Sequence, residues 1–275
     1  MKHHIDPKVD CVFKAILGSI ENRNLLINFL NAILSEELSS PITYVEIINP
    51  YNDKEFLDDK LSIVDVKARD KKEQIYQIEI QLLNHKNLPE RMVYTWADIY
   101  SEQLKNSDKY FKLKPTYSIW LLAENLLKKD KAYLHDYKLR DKQGQTLAIH
   151  GGIWLIELQK FAADDVINNQ QRWLKFFQDA ESFDENNLPS WMHTKEMEQA
   201  MTTLQRFSEK EVDYHAYQAR QNFLRVQNSF LEDRDEALQR EEIAVQAKNE
   251  AVQEKNEALE EVERLKALLA QKDLH

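Results

Sequence analysis

The chain has 275 residues, 43% hydrophobic and 10% aromatic, which is enough apolar material for a core and excludes wholesale disorder. The 37 Lys+Arg against 47 Asp+Glu give a formal net charge of −10, which on its own speaks against a polyanionic partner. One cysteine, Cys11, excludes an internal disulfide framework, and the four glycines form no GxGxxG or GxxxxGK[ST] cradle, so no nucleotide cofactor is expected.

In chain order, the stretch Asp6–Ser35 carries apolar residues at helical spacing: Val9, Val12, Phe13, Ile16, Leu17 and Ile20, then Leu25, Leu26, Phe29, Leu30, Ile33 and Leu34. A break is expected near Gly18–Asn22, with Asp6-Pro7 as the helix start. Pro41 opens a strand over Ile42–Ile48. Two further strands, Leu61–Lys67 and Ile75–Leu82, flank a charged turn around Lys71-Lys72-Glu73. A helix follows Pro89, then strands at Tyr117–Leu122, Tyr133–Leu139 and Ile153–Leu158, the last after Gly151-Gly152. Helices dominate from Val166 onward. The order predicts an α/β fold with a mixed central sheet.

The tail differs from the body. Residues 228–275 hold seven Lys+Arg against thirteen Asp+Glu, so most of the negative charge lies there. They carry a seven-residue near-repeat starting at Ala244, Ala251 and Ala258. Its apolar seam is interrupted by Glu241, Lys248 and Lys255, so a coiled-coil arm and a solvated single helix stand level. Self-association of the chain through this helix is expected. The expected organisation is a domain over residues 1–180, a helical extension over 181–227 and the heptad tail over 228–275. No apolar run approaches the roughly 20 residues that cross a bilayer, and no signal-like segment opens the chain. A soluble, cytoplasmic protein without a membrane partner is therefore expected.

The chemistry concentrates in Leu61–Lys67 and Tyr76–Gln81. Strand alternation puts Asp65 and Lys67 on one face of the first and Gln77, Glu79 and Gln81 on one face of the second. A turn centred on Lys72 sets Asp65 opposite Glu79. Two carboxylates so close in mid-sheet require a cation or a proton between them. Hard oxygen ligands suit Mg²⁺ or Mn²⁺, which can activate water and neutralise charge on a phosphate. By spacing alone, an ordinary hairpin with exposed polar residues and a shifted register is the simpler reading.

A wider set of residues bears on that choice: Asp10-Cys-Val-Phe13-Lys14, Leu30-Asn31-Ala-Ile-Leu34, Leu61–Val66, Ile78-Glu79-Ile80-Gln81, Glu90-Arg91-Met-Val-Tyr94, Tyr110–Pro115 and Glu157–Phe161. In this order they resemble the PD-(D/E)XK nuclease superfamily and, more narrowly, the Rpn-type recombination-promoting nuclease and transposase family, over about Asp6 to Phe177. The resemblance implies a restriction-endonuclease-like core of helix, three strands, helix and strand. It implies a metal-dependent DNA endonuclease acting in recombination, mobile-element or phage-conflict biology. Asp65 and Glu79 would be metal ligands, with the Ile80 carbonyl a third. Gln81, the third catalytic residue the resemblance implies, would position the attacking water; it stands where the superfamily more often has Lys, so it offers only neutral hydrogen bonds. That departure leaves open a weakly active or inactive member serving as a DNA-binding or assembly module.

Four residues are accessory candidates. Asp10 reads either as a metal neighbour or, more simply, as a surface partner of Lys14 one turn on. Lys60 and Lys67 read as phosphate contacts or, more simply, as exposed strand lysines. Arg91, at the start of the central helix, reads equally as a phosphate ligand or as a partner of Glu90 and the hairpin. Tyr94, Trp96, Tyr100 and Trp120 read as core packing. Residues 105–145 carry ten Lys+Arg against five Asp+Glu, a local basic surface that removes the charge argument against DNA without making one for it.

Overall fold

The computed structural model describes residues 2–48, 65–84, 86–184 and 187–272. The chain divides into two compact units, residues 1–221 and 222–275.

The first unit opens with α1 (Asp10–Leu17), a 3-10 turn at Ile20–Asn22 and α2 (Arg23–Ile33), so the expected break is present. The helix starts later than the Asp6-Pro7 signal suggested. Asp6 accepts a hydrogen bond from the Lys8 amide at 2.9 Å, closing a local turn instead of a helical one. Strands β1 (Val45–Ile48), β2 (Val66–Asp70) and β3 (Ile75–Gln81) follow, then α3 (Leu88–Ser101), β4 (Thr116–Leu122), β5 (Leu134–Tyr137) and β6 (Gly151–Glu157). Helices α4 (Asn169–Asp179) and α5 (Lys195–Glu209) complete the body, and α6 runs over Glu211–Lys272. Most of the expected Leu61–Lys67 strand lies outside the described residues.

The six strands form one mixed sheet in the order β1-β2-β3-β4-β6-β5. β1, β2 and β3 are antiparallel, β3, β4 and β6 are parallel, and β5 closes the edge antiparallel. This is the mixed α/β architecture expected, with the helix, three strands, helix, strand order intact.

Alternation along the strands sorts two faces. Tyr76, Ile78, Ile80, Tyr117, Ile119, Leu121, Trp154 and Ile156 pack in the large core with residues of α1, α2, α4 and α5. The opposite face carries Trp120, Leu122, Ile153 and Leu155 against Leu88 and Met92 of α3. That second face also holds buried polar residues: Gln77, Glu79, Ser118 and Glu157. Burying polar groups costs free energy unless they are satisfied, so this face is where function is to be sought.

Two local devices fix the register. In the β2–β3 turn, Asp70 Oδ1 accepts from the amides of Lys72 (2.8 Å) and Gln74 (2.9 Å), and Glu73 takes a positive φ of 63°. At the start of β6, Gly151 has φ +84°, and a Cβ there would sit 2.0 Å from the Thr116 carbonyl oxygen, so only glycine fits.

The helical residues of the second unit carry exposed apolar side chains; Val245, Val252 and Leu259 share one face at seven-residue spacing, and Ile243 lies on the opposite side. Among the described residues no helix is long and apolar enough to cross a membrane.

Candidate active site

The β2–β3 register pairs Val66 with Ile78 and Lys67 with Gln77. One step further, Asp65, at a bend just before β2, stands across from the end of β3. Its Oδ2 accepts the Ile80 amide hydrogen at 3.0 Å. The turn centred on Lys72 thus brings Asp65 to the Glu79–Ile80 segment. Glu79 points to the α3 face and is 3% exposed.

Both carboxylates have a raised proton affinity. Burial pushes the Glu79 carboxyl up to about 8, with the Asp65 charge adding to it and the Arg91 guanidinium opposing it. Asp65 is also raised, chiefly by burial, against the pull of the Ile80 amide and Lys14. Glu79 Oε1 is buried and has no hydrogen-bond partner. Its Oε2 lies 3.6 Å from Arg91 Nη2. An orphaned buried carboxylate oxygen beside a second carboxylate is a strained state that a cation relieves. The donors are hard oxygens, and Mg²⁺ is commonly held by one or two carboxylates while keeping several waters. The residues therefore fit a divalent cation. Among the described residues no third His, Cys, Asp or Glu joins them.

Other residues complete the surroundings. Arg91 reaches from the first turn of α3, with its guanidinium 5.4 Å from the Trp120 ring centroid, and donates to Gln81 Oε1 at 3.4 Å. Gln81 Nε2 donates to the Leu83 carbonyl at 2.7 Å. Both ends of the Gln81 amide are thus engaged within the protein. Behind Glu79, Trp120 Nε1 donates to Ser118 Oγ (2.8 Å), which donates to Gln77 Oε1 (3.0 Å).

The accessory candidates separate. Asp10 does not pair with Lys14: its Oδ1 accepts from Arg220 Nε at 3.0 Å. Lys14 instead lies 3.3 Å from Asp65 Oδ1. Lys67 is buried rather than exposed, and its ammonium donates to Glu102 at 2.9 Å. Lys60 lies outside the described residues. Arg91 stands beside Glu79 and Gln81 rather than pairing with Glu90. Trp96 and Tyr100 stack on each other, Trp120 is fully buried, and Tyr94 is exposed rather than packed in the core.

Two arrangements escaped sequence reasoning. The Lys14–Asp65 contact joins residues 51 positions apart, and no local spacing signals it. Glu157 is fully buried at the end of β6. Its Oε1 accepts from the amides of Leu126 (2.5 Å) and Leu127 (2.9 Å), and its Oε2 pairs with Lys160 and lies 3.7 Å from His135 Nε2. The Glu157–Lys160 spacing of three was a usable signal. A cavity of about 640 Å³ lies elsewhere, between α2, β5 and α4; its Glu37 and Asp136 are both paired with Lys138.

Comparison with known families matches residues 7–234 to the PD-(D/E)XK nuclease family transposases. The chain belongs to this family. The match covers the whole body and the first part of α6, further than the resemblance read from motifs alone. It supports a nuclease- or transposase-like function. No curated protein and no solved structure matches the chain.

Proposed function

We propose that this PD-(D/E)XK family member is a divalent-cation-dependent DNA endonuclease, with Asp65, Glu79 and the Ile80 carbonyl as ligands for Mg²⁺ or Mn²⁺. The observation that carries the reading is the bare, buried Glu79 Oε1 beside Asp65. A bound cation would activate water and neutralise charge on the phosphodiester. The chain's own residues do the rest. The Ile80 amide fixes Asp65 Oδ2, so a cation would take Oδ1, the oxygen that pairs with Lys14. Arg91, steadied on Trp120, supplies the positive charge that Gln81 lacks. Gln81 holds Arg91 and supplies only neutral hydrogen bonds. Recombination or mobile-DNA processing is the fitting setting, and the exposed Val245, Val252 and Leu259 on one face of α6 support self-association through the tail.

The test is plasmid nicking with Mg²⁺. Asp65→Ala and Glu79→Ala are each expected to reduce cleavage by about a hundredfold or more. Full activity in both variants would refute the assignment. The engaged amide of Gln81 favours one second reading, a nuclease fold retained for DNA binding or assembly. It predicts DNA binding by the wild type with no cleavage.

A further inference from the structure

Asp65 and Glu79 differ in how their oxygens are engaged. Asp65 has neither oxygen bare: Oδ2 holds the Ile80 amide, and Oδ1 lies 3.3 Å from the Lys14 ammonium. A cation that bridges the two carboxylates must therefore take an oxygen that Lys14 already occupies. Lys14 is well suited to yield it. Its side chain is 43% exposed, its stem is flexible, and its neighbour one turn back, Asp10, is held by Arg220.

Arg91 is the contrast. It lies beside Glu79, donates to Gln81 and rests on Trp120, so three neighbours hold it in place. Charge sharpens the difference. With both carboxylates ionised, Asp65, Glu79, Lys14 and Arg91 sum to zero. A divalent cation turns this neutral cluster into one of net charge about +2, and the displaced ammonium then needs an anion.

We propose that Lys14 is a cation-gated phosphate ligand. In the metal-free protein its ammonium neutralises Asp65 Oδ1. When Asp65 takes a divalent cation, Lys14 turns to a DNA phosphate oxygen at the same site. The site thus binds its substrate strand well only when loaded. This rests on the reading of Asp65 and Glu79 as a cation site.

The test measures duplex DNA binding by fluorescence anisotropy for the full chain, in Ca²⁺ and in EDTA, across a range of salt concentrations. Lys14→Gln is expected to lose about tenfold in affinity in Ca²⁺ and under about twofold in EDTA. Its slope of log affinity against log salt is expected to fall by about 0.9 in Ca²⁺ only. Lys14→Arg is expected to keep most of the affinity, and Arg91→Gln to lose affinity under both conditions. Calorimetry with Ca²⁺ alone is expected to show Lys14→Gln binding the ion at least as tightly as wild type, since the competing ammonium is gone. The same titration shows that the variant is folded. Equal loss in Ca²⁺ and EDTA, or loss in neither, overturns the inference while leaving the cation site intact. If the wild type takes up no Ca²⁺ that Asp65→Ala abolishes, the cation reading falls and the gating falls with it.

Discussion

Two buried glutamates on the same face of the sheet meet opposite fates. Glu157, at the end of β6, is surrounded by two amides, Lys160 and His135, and is satisfied on both oxygens. Glu79, on β3, has one bare oxygen and a second carboxylate close by, and a half-exposed arginine, the Asp65 amide and the Gln77 side chain offset its burial only in part. Burial is the same; partnership is not. Glu157 ties the loop after β4 to the sheet, because the amides it holds belong to Leu126 and Leu127. Glu79 is kept in a state that favours a ligand the chain does not itself supply. Of two equally buried charges, the incompletely partnered one marks the chemistry.

The largest effect should come from breaking the satisfied cluster. Lys160→Met leaves Glu157 buried without its ammonium, and urea unfolding is expected to show a loss of about 3–5 kcal/mol. A loss below about 1 kcal/mol would erase the contrast between the two sites.

The unsatisfied site should behave in the opposite sense. The folded pKa of Glu79, about 8, lies above its ordinary 4.5, so between these values the folded chain holds a proton that the unfolded chain has released. Stability fully present below about pH 4.5 is therefore lost as pH rises through about 8 in metal-free protein. Glu79→Gln removes that loss and is expected to be more stable than wild type at pH 8 by a few kcal/mol. Parallel pH–stability curves for the two proteins would contradict it.

Much of the fold was legible because local rules set it. The apolar spacing of α1 and α2, the Asp70-anchored turn and the β-rich run of β4 each speak through neighbours in sequence. The turn centre at Lys72 was enough to set Asp65 against the end of β3. The helix start at Asp10 was misread because Asp6 uses its side chain for a turn. The surroundings of the site were less legible, since they depend on contacts between distant elements. Lys14 was read with Asp10, but Arg220 takes Asp10 from 210 positions away and Lys14 goes to Asp65. Lys67 carries a surface residue's charge in a buried position, a pairing that Glu102 at the end of α3 makes possible. The charge total misled in a similar way, because the acidic residues of the tail mask a body with its own basic stretch.

The central claim is that Asp65 and Glu79 hold a divalent cation, and calorimetric titration of Mn²⁺ into metal-free protein at pH 8 tests it most directly. The account predicts saturable binding by wild type that both Asp65→Ala and Glu79→Gln abolish while Lys160→Arg retains it. Binding that survives both carboxylate substitutions, or no binding by wild type, would contradict it.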